Sequence, residues 1–384
     1  MRLPILALAL MMPAVALAAD PVPGNPVPGN PVKVGVIFPM SGGAGRQGQD
    51  VVHAVQAMAT ILNAAGGVLG RPIELVVRDD ESTPAVGVAK ANDLVAQGVA
   101  VVIEGWNSPV TLAMQPILAR AGVLDITAIS KADGILTSAS NPLAIRLNSS
   151  NAQDADVMAG YIATTLKPKR IAFVTQNDAY GNGAQAGMEA ALKKAGLTYE
   201  TATVQKFPFA QTDFRVEVTS LKDAKPDVVV SINANEGAGL PAFLQQFAQA
   251  QVKAAIICSV GTVGPSVVET AGPSADGLVS ADIYFPAVEP FASNPANQRF
   301  VAEVKKQFGQ EPDKFMALGA TALQVWAHAA NTAKTLDREA VAKAIRGQTI
   351  PGTIFGNAVF LPTGQMQSSY EVFTVKAGKI AVER

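Results

Sequence analysis

Cysteine and histidine, the side chains that serve most metal sites and many active sites, are almost missing from this sequence. Its 384 residues include one cysteine and two histidines, so neither an internal disulfide nor a Cys/His zinc cluster can be assembled. A serine hydrolase would need a histidine beside its nucleophile, but His53 and His328 fall in predicted helices and share no cluster. We therefore expect no catalytic residue, no metal site, no cofactor and no enzymatic activity.

Strong charge of either sign is missing too. The formal net charge is -1, which predicts no basic surface for nucleic acid or for an acidic membrane. Hydrophobic residues make up 49% of the chain and charged residues 16%, as in a well-packed α/β protein rather than a disordered one. Cys258 lies in the apolar run AAIICSV and is expected to be a small buried hydrophobic residue.

The first residues are expected to direct export. A positive charge at Arg2, an apolar stretch and small residues at a cleavage point predict a signal peptide over 1–18, and hence a periplasmic protein. A membrane anchor is the alternative, but the apolar run is short and is interrupted by Pro4 and Pro13. Residues 19–32 contain a proline-rich pentapeptide written twice, which predicts an extended linker.

Apolar strands and helices then alternate regularly in two series. The predicted strands cover 33–38, 72–79, 99–103 and 123–129 in the first series, and 170–175, 199–205, 227–232 and 254–258 in the second. Strands separated by helices of this length imply right-handed crossovers and parallel sheets with helices on both faces. The predicted fold class is therefore α/β, with two doubly wound parallel-sheet lobes.

The chain is expected to pass between the lobes three times, near residues 148, 281 and 356. These crossings divide the chain into an N-terminal lobe of 33–147 and 282–356 and a C-terminal lobe of 148–281 and 357–384. The alternating pattern after 356 predicts antiparallel strands at the edge of the C-terminal lobe. Three crossings make a hinge, and the cleft between the lobes is the natural place for a ligand.

One stretch, residues 99–131, carries the clearest binding-site pattern: strand, loop, helix, strand, loop. The first loop holds Trp106, Asn107 and Ser108, with Ser108 predicted at the N-cap of the following helix. The second loop holds Ser130 and Lys131, at what we expect to be the same edge of the sheet. Ligands of open α/β sheets bind beyond the carboxyl ends of the strands, and a helix N-terminus favours anions. The pattern therefore predicts a small anion, such as a carboxylate, near Ser108.

Two glycine-rich turns do not match nucleotide-binding motifs. The turn SGGAGRQG has Gln47 and Gly48 where a phosphate-binding loop needs lysine, and GNGAQAG at 181–187 is one residue too long for a dinucleotide fingerprint. Both are interpreted as tight strand-to-helix turns.

Several motifs, in order along the chain, resemble those of the periplasmic leucine/isoleucine/valine-binding proteins of ABC transporters. They are KVGVIFPMSG at 33–42, AAGGVLGRPIEL at 64–75, DDESTP at 79–84, DAYGNG at 178–183 and the closing GNAVFLPTG. Each motif alone is weak, but their order is specific and spans essentially the whole chain after the linker.

The resemblance implies a monomer whose two lobes close on an amino acid, and whose closed form docks on a permease in the inner membrane. In that family a serine at a helix start takes the ligand carboxylate, and this position matches Ser108. A tyrosine of the second lobe packs on the ligand and matches Tyr180. Gln47 stands where leucine-binding members carry an aromatic residue.

The family's ammonium-binding positions differ here. The loop that supplies a carbonyl and a hydroxyl aligns with Ile129 and Lys131, and the acidic partner aligns near Val260, which carries no charge. A buried ammonium without a partner would cost several kcal/mol. Glu104 and Glu236 lie in loops that could supply a substitute acid, or could be solvated surface charges. We therefore hypothesise a ligand with a carboxylate and an apolar body, with or without an α-ammonium.

The expected function is that of a solute-binding protein of an ABC importer. Its ligand would be a branched-chain or other hydrophobic amino acid, or a related carboxylate without the amino group. Two other classes stay open at this point: a ligand-reading sensor domain, and an exported α/β enzyme such as an amidase. Turnover of a bound amide would favour the enzyme.

Overall fold

The N-terminal lobe is built on a five-stranded parallel sheet. The structure, a computed structural model, describes residues 29–137 and 141–382, so the predicted signal peptide at 1–18 and most of the linker at 19–32 lie outside it. The strands are β1 (Val32–Phe38), β2 (Ile73–Asp79), β3 (Val101–Glu104), β4 (Leu124–Thr127) and β5 (Ala144–Arg146). Their order is β2-β1-β3-β4-β5, and every pair is parallel.

Helices connect these strands and cover the sheet. They are α1 (Gly45–Ala64), α2 (Pro84–Ala96), α3 (Ser108–Arg120) and the short α4 (Gly134–Thr137). Side chains alternate between the two faces of a strand, so Val36 packs on the α1 side and Ile37 packs on the side of α2 and α3. Burial on both faces explains why the strand sequences are continuously apolar.

The C-terminal lobe repeats the same alternation. It contains α5 (Asn151–Tyr161), β6 (Arg170–Gln176), α6 (Ala179–Lys194), β7 (Glu200–Phe207), α7 (Arg215–Ala224), β8 (Val228–Ile232), α8 (Gly239–Gln249), β9 (Ala255–Cys258), α9 (Pro265–Ala271) and β10 (Val279–Asp282). Cys258 is fully buried in β9, as its apolar neighbours predict.

The chain then returns to the N-terminal lobe. The returning elements are α10 (Pro295–Phe308), α11 (Lys314–Ala333), α12 (Arg338–Lys343) and the hairpin of β11 (Thr349–Thr353) and β12 (Gly356–Val359). Helix α11 packs along α1, and its Trp326 is 1% exposed in the core of that lobe. No helix in the described part of the chain is both long enough and apolar enough to span a bilayer.

The last two strands, β13 (Glu371–Lys376) and β14 (Lys379–Val382), complete the second sheet. Its order is β14-β13-β10-β9-β8-β6-β7, with the β10–β13 and β13–β14 pairs antiparallel and the others parallel. The predicted α/β class with two doubly wound lobes is thereby confirmed.

The third crossing lies later than the sequence predicts. Strand β12 at 356–359 pairs with β11 beside α11 rather than with the second sheet, and Phe360 and Met366 still belong to the N-terminal core. The chain reaches the second sheet only at β13. The reason is that an alternating apolar pattern predicts a strand but does not specify which partner the strand pairs with.

The close contact of α1 and α11 gives a test of the packing. A Cβ on Gly319 would lie 2.5 Å from Cγ1 of Val51, so Gly319→Ala should lower the free energy of unfolding by about 1–3 kcal/mol. Gly160→Ala is the matched control, because a Cβ there meets nothing within 4 Å and should raise stability by up to about 1 kcal/mol. Urea denaturation of both variants measures the difference, and equal effects would contradict this packing.

Candidate functional site

A cavity lies between the two lobes, at the carboxyl ends of strands from both sheets. About 410 Å³ of space within it and at its opening to solvent is unoccupied by protein atoms. The lining residues follow β3, β4, β5, β6, β8 or β9, end β6, or belong to α11, and they are Trp106, Asn107, Ser108, Ile129, Lys131, Asn148, Gln176, Tyr180, Ala234, Glu236, Val260, Gly261, Thr262, Lys314 and Phe315. Both doubly wound sheets thus direct their loops to one place, as parallel topology requires.

Seven of the nine residues predicted for the site line this cavity. They are Trp106, Asn107, Ser108, Ile129, Lys131, Tyr180 and Glu236. Gln47 lies instead in the outer part of the cleft, where a Cβ on Gly237 would lie 2.5 Å from its Nε2. Ser130 points away from the cavity, and its hydroxyl lies 2.8 Å from that of Thr111.

Ser108 stands at the start of α3, although not at the predicted position. Asn107 is the N-cap, and Ser108 is the first helical residue. The Ser108 hydroxyl oxygen accepts hydrogen bonds from the backbone N–H groups of Lys131 and Ala132, both at 3.1 Å. With its oxygen used in this way, the hydroxyl keeps its proton for donation to an acceptor. The side-chain oxygen of Asn107 is buried without a hydrogen-bond partner among the described residues.

Aromatic rings form the apolar walls of the cavity. Trp106 and Phe315 have ring centroids 4.7 Å apart at an angle of 48°. Tyr180 comes from the C-terminal lobe, and its hydroxyl donates a hydrogen bond to the Ser259 hydroxyl at 3.0 Å. Burial raises the pKa of Tyr180 far above its usual value, so this phenol stays neutral.

Lys131 reaches from the N-terminal lobe into the C-terminal lobe. Its Nζ donates to Asp154 Oδ2 at 2.5 Å and to the carbonyl oxygen of Val260 at 2.8 Å. The residue is buried, and burial lowers the pKa of its ammonium group while Asp154 opposes that shift. Lys131 is therefore engaged with the protein, rather than pointing to water.

Lys314 makes a similar hydrogen bond, to the carbonyl of the residue that follows Val260. Its Nζ donates to the carbonyl oxygen of Gly261 at 2.8 Å, lies 4.0 Å from Asp282 Oδ1 and stands 4.0 Å from the centre of the Phe315 ring. The sequence analysis missed Lys314 and Phe315. The signal that could have found them is a lysine, at 314, opening an otherwise apolar helix directly after the capping Asp313.

Glu236 is the acid of the cavity. It is 8% exposed and makes no hydrogen bond to any residue that the structure describes. Burial raises the pKa of its carboxyl well above the usual range, and nearby Lys314 lowers it in part. Of the two substitute acids considered from the sequence, only Glu236 lines the cavity.

Glu104 belongs to a buried polar layer beneath the cavity. Its Oε2 accepts a hydrogen bond of 2.7 Å from the Thr111 hydroxyl. Asp125 lies in the same layer, and burial raises its pKa to about 7. Burial and the neighbouring Asp125 also raise the pKa of Glu104 well above its usual value. Neither here nor elsewhere in the described ranges are three His, Cys, Asp or Glu side chains grouped to hold a metal ion.

Comparison with known proteins identifies the class to which this architecture belongs. The family model described as periplasmic binding protein matches residues 31–379, so the chain belongs to the periplasmic binding protein family. This confirms the resemblance found in the sequence. The family consists of proteins that bind small molecules, of the type that ABC transporters use.

Individual relatives agree with this membership. The chain is 27% identical to Leu/Ile/Val-binding protein homolog 3 of Brucella melitensis over 91% of this chain and 92% of the relative. It is similar to the crystal structure of the leucine-binding protein LivK from Thermotoga maritima, with a TM-score of 0.82, 25% identity, and coverage of 92% and 98%. A solute-binding protein of an ABC transporter from Rhodopseudomonas palustris, solved with 3,4-dihydroxybenzoic acid, matches with a TM-score of 0.80, 25% identity, and coverage of 91% and 94%.

The buried acids under the cavity predict a pH-dependent stability. The folded protein holds a proton on Asp125 that the unfolded chain releases, so the free energy of unfolding should fall as pH rises from the ordinary value of 3.8 towards about 7. Asp125→Asn cannot ionise and should make this fall shallower than it is in the wild-type protein. Urea denaturation at a series of pH values measures the slope, and a slope unchanged in Asp125→Asn would contradict the assignment.

Proposed function

We propose that this protein is the extracytoplasmic solute-binding component of an ABC importer, and that it captures a small carboxylate with an apolar body. The observation that carries the proposal is the cavity, which two hinged lobes enclose and which has hydrogen-bond donors at one end and aromatic rings along its walls. Closure of the lobes would shield the ligand, and the closed monomer would present both lobes to a membrane permease.

The carboxylate would bind at the N-terminus of α3. The Ser108 hydroxyl has a proton to donate there, and the Ser108 backbone N–H makes no hydrogen bond within the described residues. The helix dipole adds a favourable potential at this end. Lys131 and Lys314 border the same cavity, so two cationic side chains lie near the proposed carboxylate position.

The apolar body of the ligand would lie between the aromatic walls. Trp106 and Phe315 form one wall in the N-terminal lobe, and Tyr180 faces them from the other lobe. Flat rings suit an aromatic or a branched aliphatic group. One similar protein is named as leucine-binding, and another was solved with 3,4-dihydroxybenzoic acid. Both compounds join a carboxylate to an apolar body. Both kinds of compound are therefore candidates for this site.

A thermal-shift screen tests the proposed function. The purified protein is heated with aliphatic amino acids, the corresponding amine-free acids, benzoate and hydroxybenzoates, each compared with its neutral amide. A ligand that binds only the folded protein raises the melting temperature by mass action. We expect shifts with carboxylates and not with their amides. No shift with any carboxylate, or turnover of an amide, would contradict the proposal.

Substitution of Ser108 tests the carboxylate end of the site. Ser108→Ala removes a charge-assisted hydrogen bond and should weaken binding of the best carboxylate by about 1–3 kcal/mol, measured by isothermal titration calorimetry. Ser280→Ala is the matched control, because its buried hydroxyl bonds to the Ser259 carbonyl at 3.1 Å and does not line the cavity. Equal affinities of Ser108→Ala and wild type would place the carboxylate elsewhere.

Two substitutions of Tyr180 test the aromatic wall. Tyr180→Ala removes the ring and should cost about 1–3 kcal/mol of binding free energy through lost packing. Tyr180→Phe keeps the ring, loses only the hydrogen bond to Ser259, and should bind nearly as well as wild type. If Tyr180→Phe loses as much affinity as Tyr180→Ala, the hydroxyl rather than the ring contacts the ligand.

A further inference from the structure

The C-terminal lobe offers a ready set of acceptors for an ammonium group at the cavity wall. Asp154 supplies a carboxylate from α5, and Val260 supplies a carbonyl oxygen from the loop after β9. Both oxygens bond to one nitrogen, at 2.5 Å and 2.8 Å. A carboxylate and a backbone carbonyl that converge on one point, out of contact with water, favour a cation with several N–H donors.

The nitrogen at that point belongs to the protein itself. Lys131 extends from the loop after β4, in the opposite lobe, and its side chain is 7% exposed where it meets Asp154. The backbone N–H of the same residue donates to the Ser108 hydroxyl oxygen. One residue thus joins the proposed carboxylate position to the ammonium acceptors across the cleft.

The other charges around the cavity leave little provision for a second ammonium. Lys314 bonds to the Gly261 carbonyl and lies near Asp282, so the second lysine has its own carbonyl and acid. Glu236 is the remaining acid in the lining, and it faces the positive charges of Lys314 and Lys131. An incoming ammonium would therefore meet two buried cations and one carboxyl that already lies in their field.

We infer that Lys131 occupies the place of a ligand ammonium, and that this substitution makes the cavity select carboxylates that lack an α-amino group. This inference rests on the proposed function and specifies its substrate class. An amine-bearing ligand would have to displace Lys131 from Asp154 and Val260, or pair with Glu236, whose carboxyl already lies near the charges of Lys314 and Lys131. An amine-free acid of the same shape incurs neither cost. Lys131 is thus a specificity-determining residue rather than a second anchor for the ligand.

Matched pairs of ligands test this inference. Leucine is compared with 4-methylpentanoate, and phenylglycine with phenylacetate, because the members of each pair differ only in the α-amino group. Calorimetric titration of the wild-type protein should show the amine-free member binding roughly tenfold tighter or more. Wild-type protein that binds leucine or phenylglycine as tightly as its amine-free partner would overturn the inference.

Lys131→Ala should then change the preference. This variant frees the acceptors on Asp154 and Val260, so leucine or phenylglycine should gain affinity and the ratio within each pair should approach one or reverse. The double variant Lys131→Ala/Asp154→Asn is the control, because it opens the same space without the acidic acceptor and should retain the wild-type order. A ratio unchanged in Lys131→Ala would overturn the inference.

A folding control and a second variant accompany these titrations. Because Lys131→Ala leaves Asp154 buried without its cation, circular dichroism is recorded first, and Lys131→Met, with a side chain of similar length and no charge, replaces it if the fold is lost. Failure of these four compounds and of every carboxylate in the thermal-shift screen to bind wild-type protein would contradict the proposed function itself. Binding of the acids with no effect of Lys131 would contradict only this inference.

Discussion

Two buried ammonium groups hold the lobes together, and the rest of the site depends on them. Lys131 and Lys314 both belong to the N-terminal lobe, yet they bond to the carbonyl oxygens of Val260 and Gly261, which are consecutive residues of the C-terminal lobe. Each also has an acidic neighbour in that lobe, Asp154 for one and Asp282 for the other. Burying a charge is costly unless it is paired and hydrogen-bonded. In this arrangement the two lysines join the lobes across the cavity, and their bonds fix how the loops that line it face each other.

The sheets explain why such different residues meet at one point. In both lobes the central strands are parallel and buried on both faces, so most of the polar groups of the site lie in the loops at the strand ends. The loops after β3, β4, β6, β8 and β9 all open towards the cleft. The polar layer under the cavity contains Glu104 and Asp125, which lie on β3 and β4 themselves. There the carboxyls are removed from water and face the hydroxyls and amides of α3 and its neighbours.

Local sequence pattern was sufficient for much of the fold and for part of the site. Trp106, Ser108 and Tyr180 lie directly after predicted strands, where parallel topology alone directs a residue to the cleft. The prediction that Ser130 lines the site was wrong, because consecutive residues of an extended segment point in opposite directions. Ile129 and Lys131 face the cavity, and Ser130 between them faces Thr111. Lys314 and Phe315 could not be found in this way, since they begin a helix far along the chain and reach the site only through the tertiary fold. The position of the third crossing could not be predicted for a similar reason. The sequence of β12 predicts a strand but does not specify that it pairs with β11.

The three crossings have a consequence for how the molecule is assembled. Helix α11, at 314–333, fills the core against α1 and supplies Lys314, and β13, at 371–376, pairs with β10 in the other sheet. Neither lobe can complete its hydrophobic core until these two elements have been synthesised. Contacts between such distant parts of a chain form slowly, because a long loop must close before they bring any stability. A chain synthesised only as far as α10 would therefore lack part of the core of both lobes.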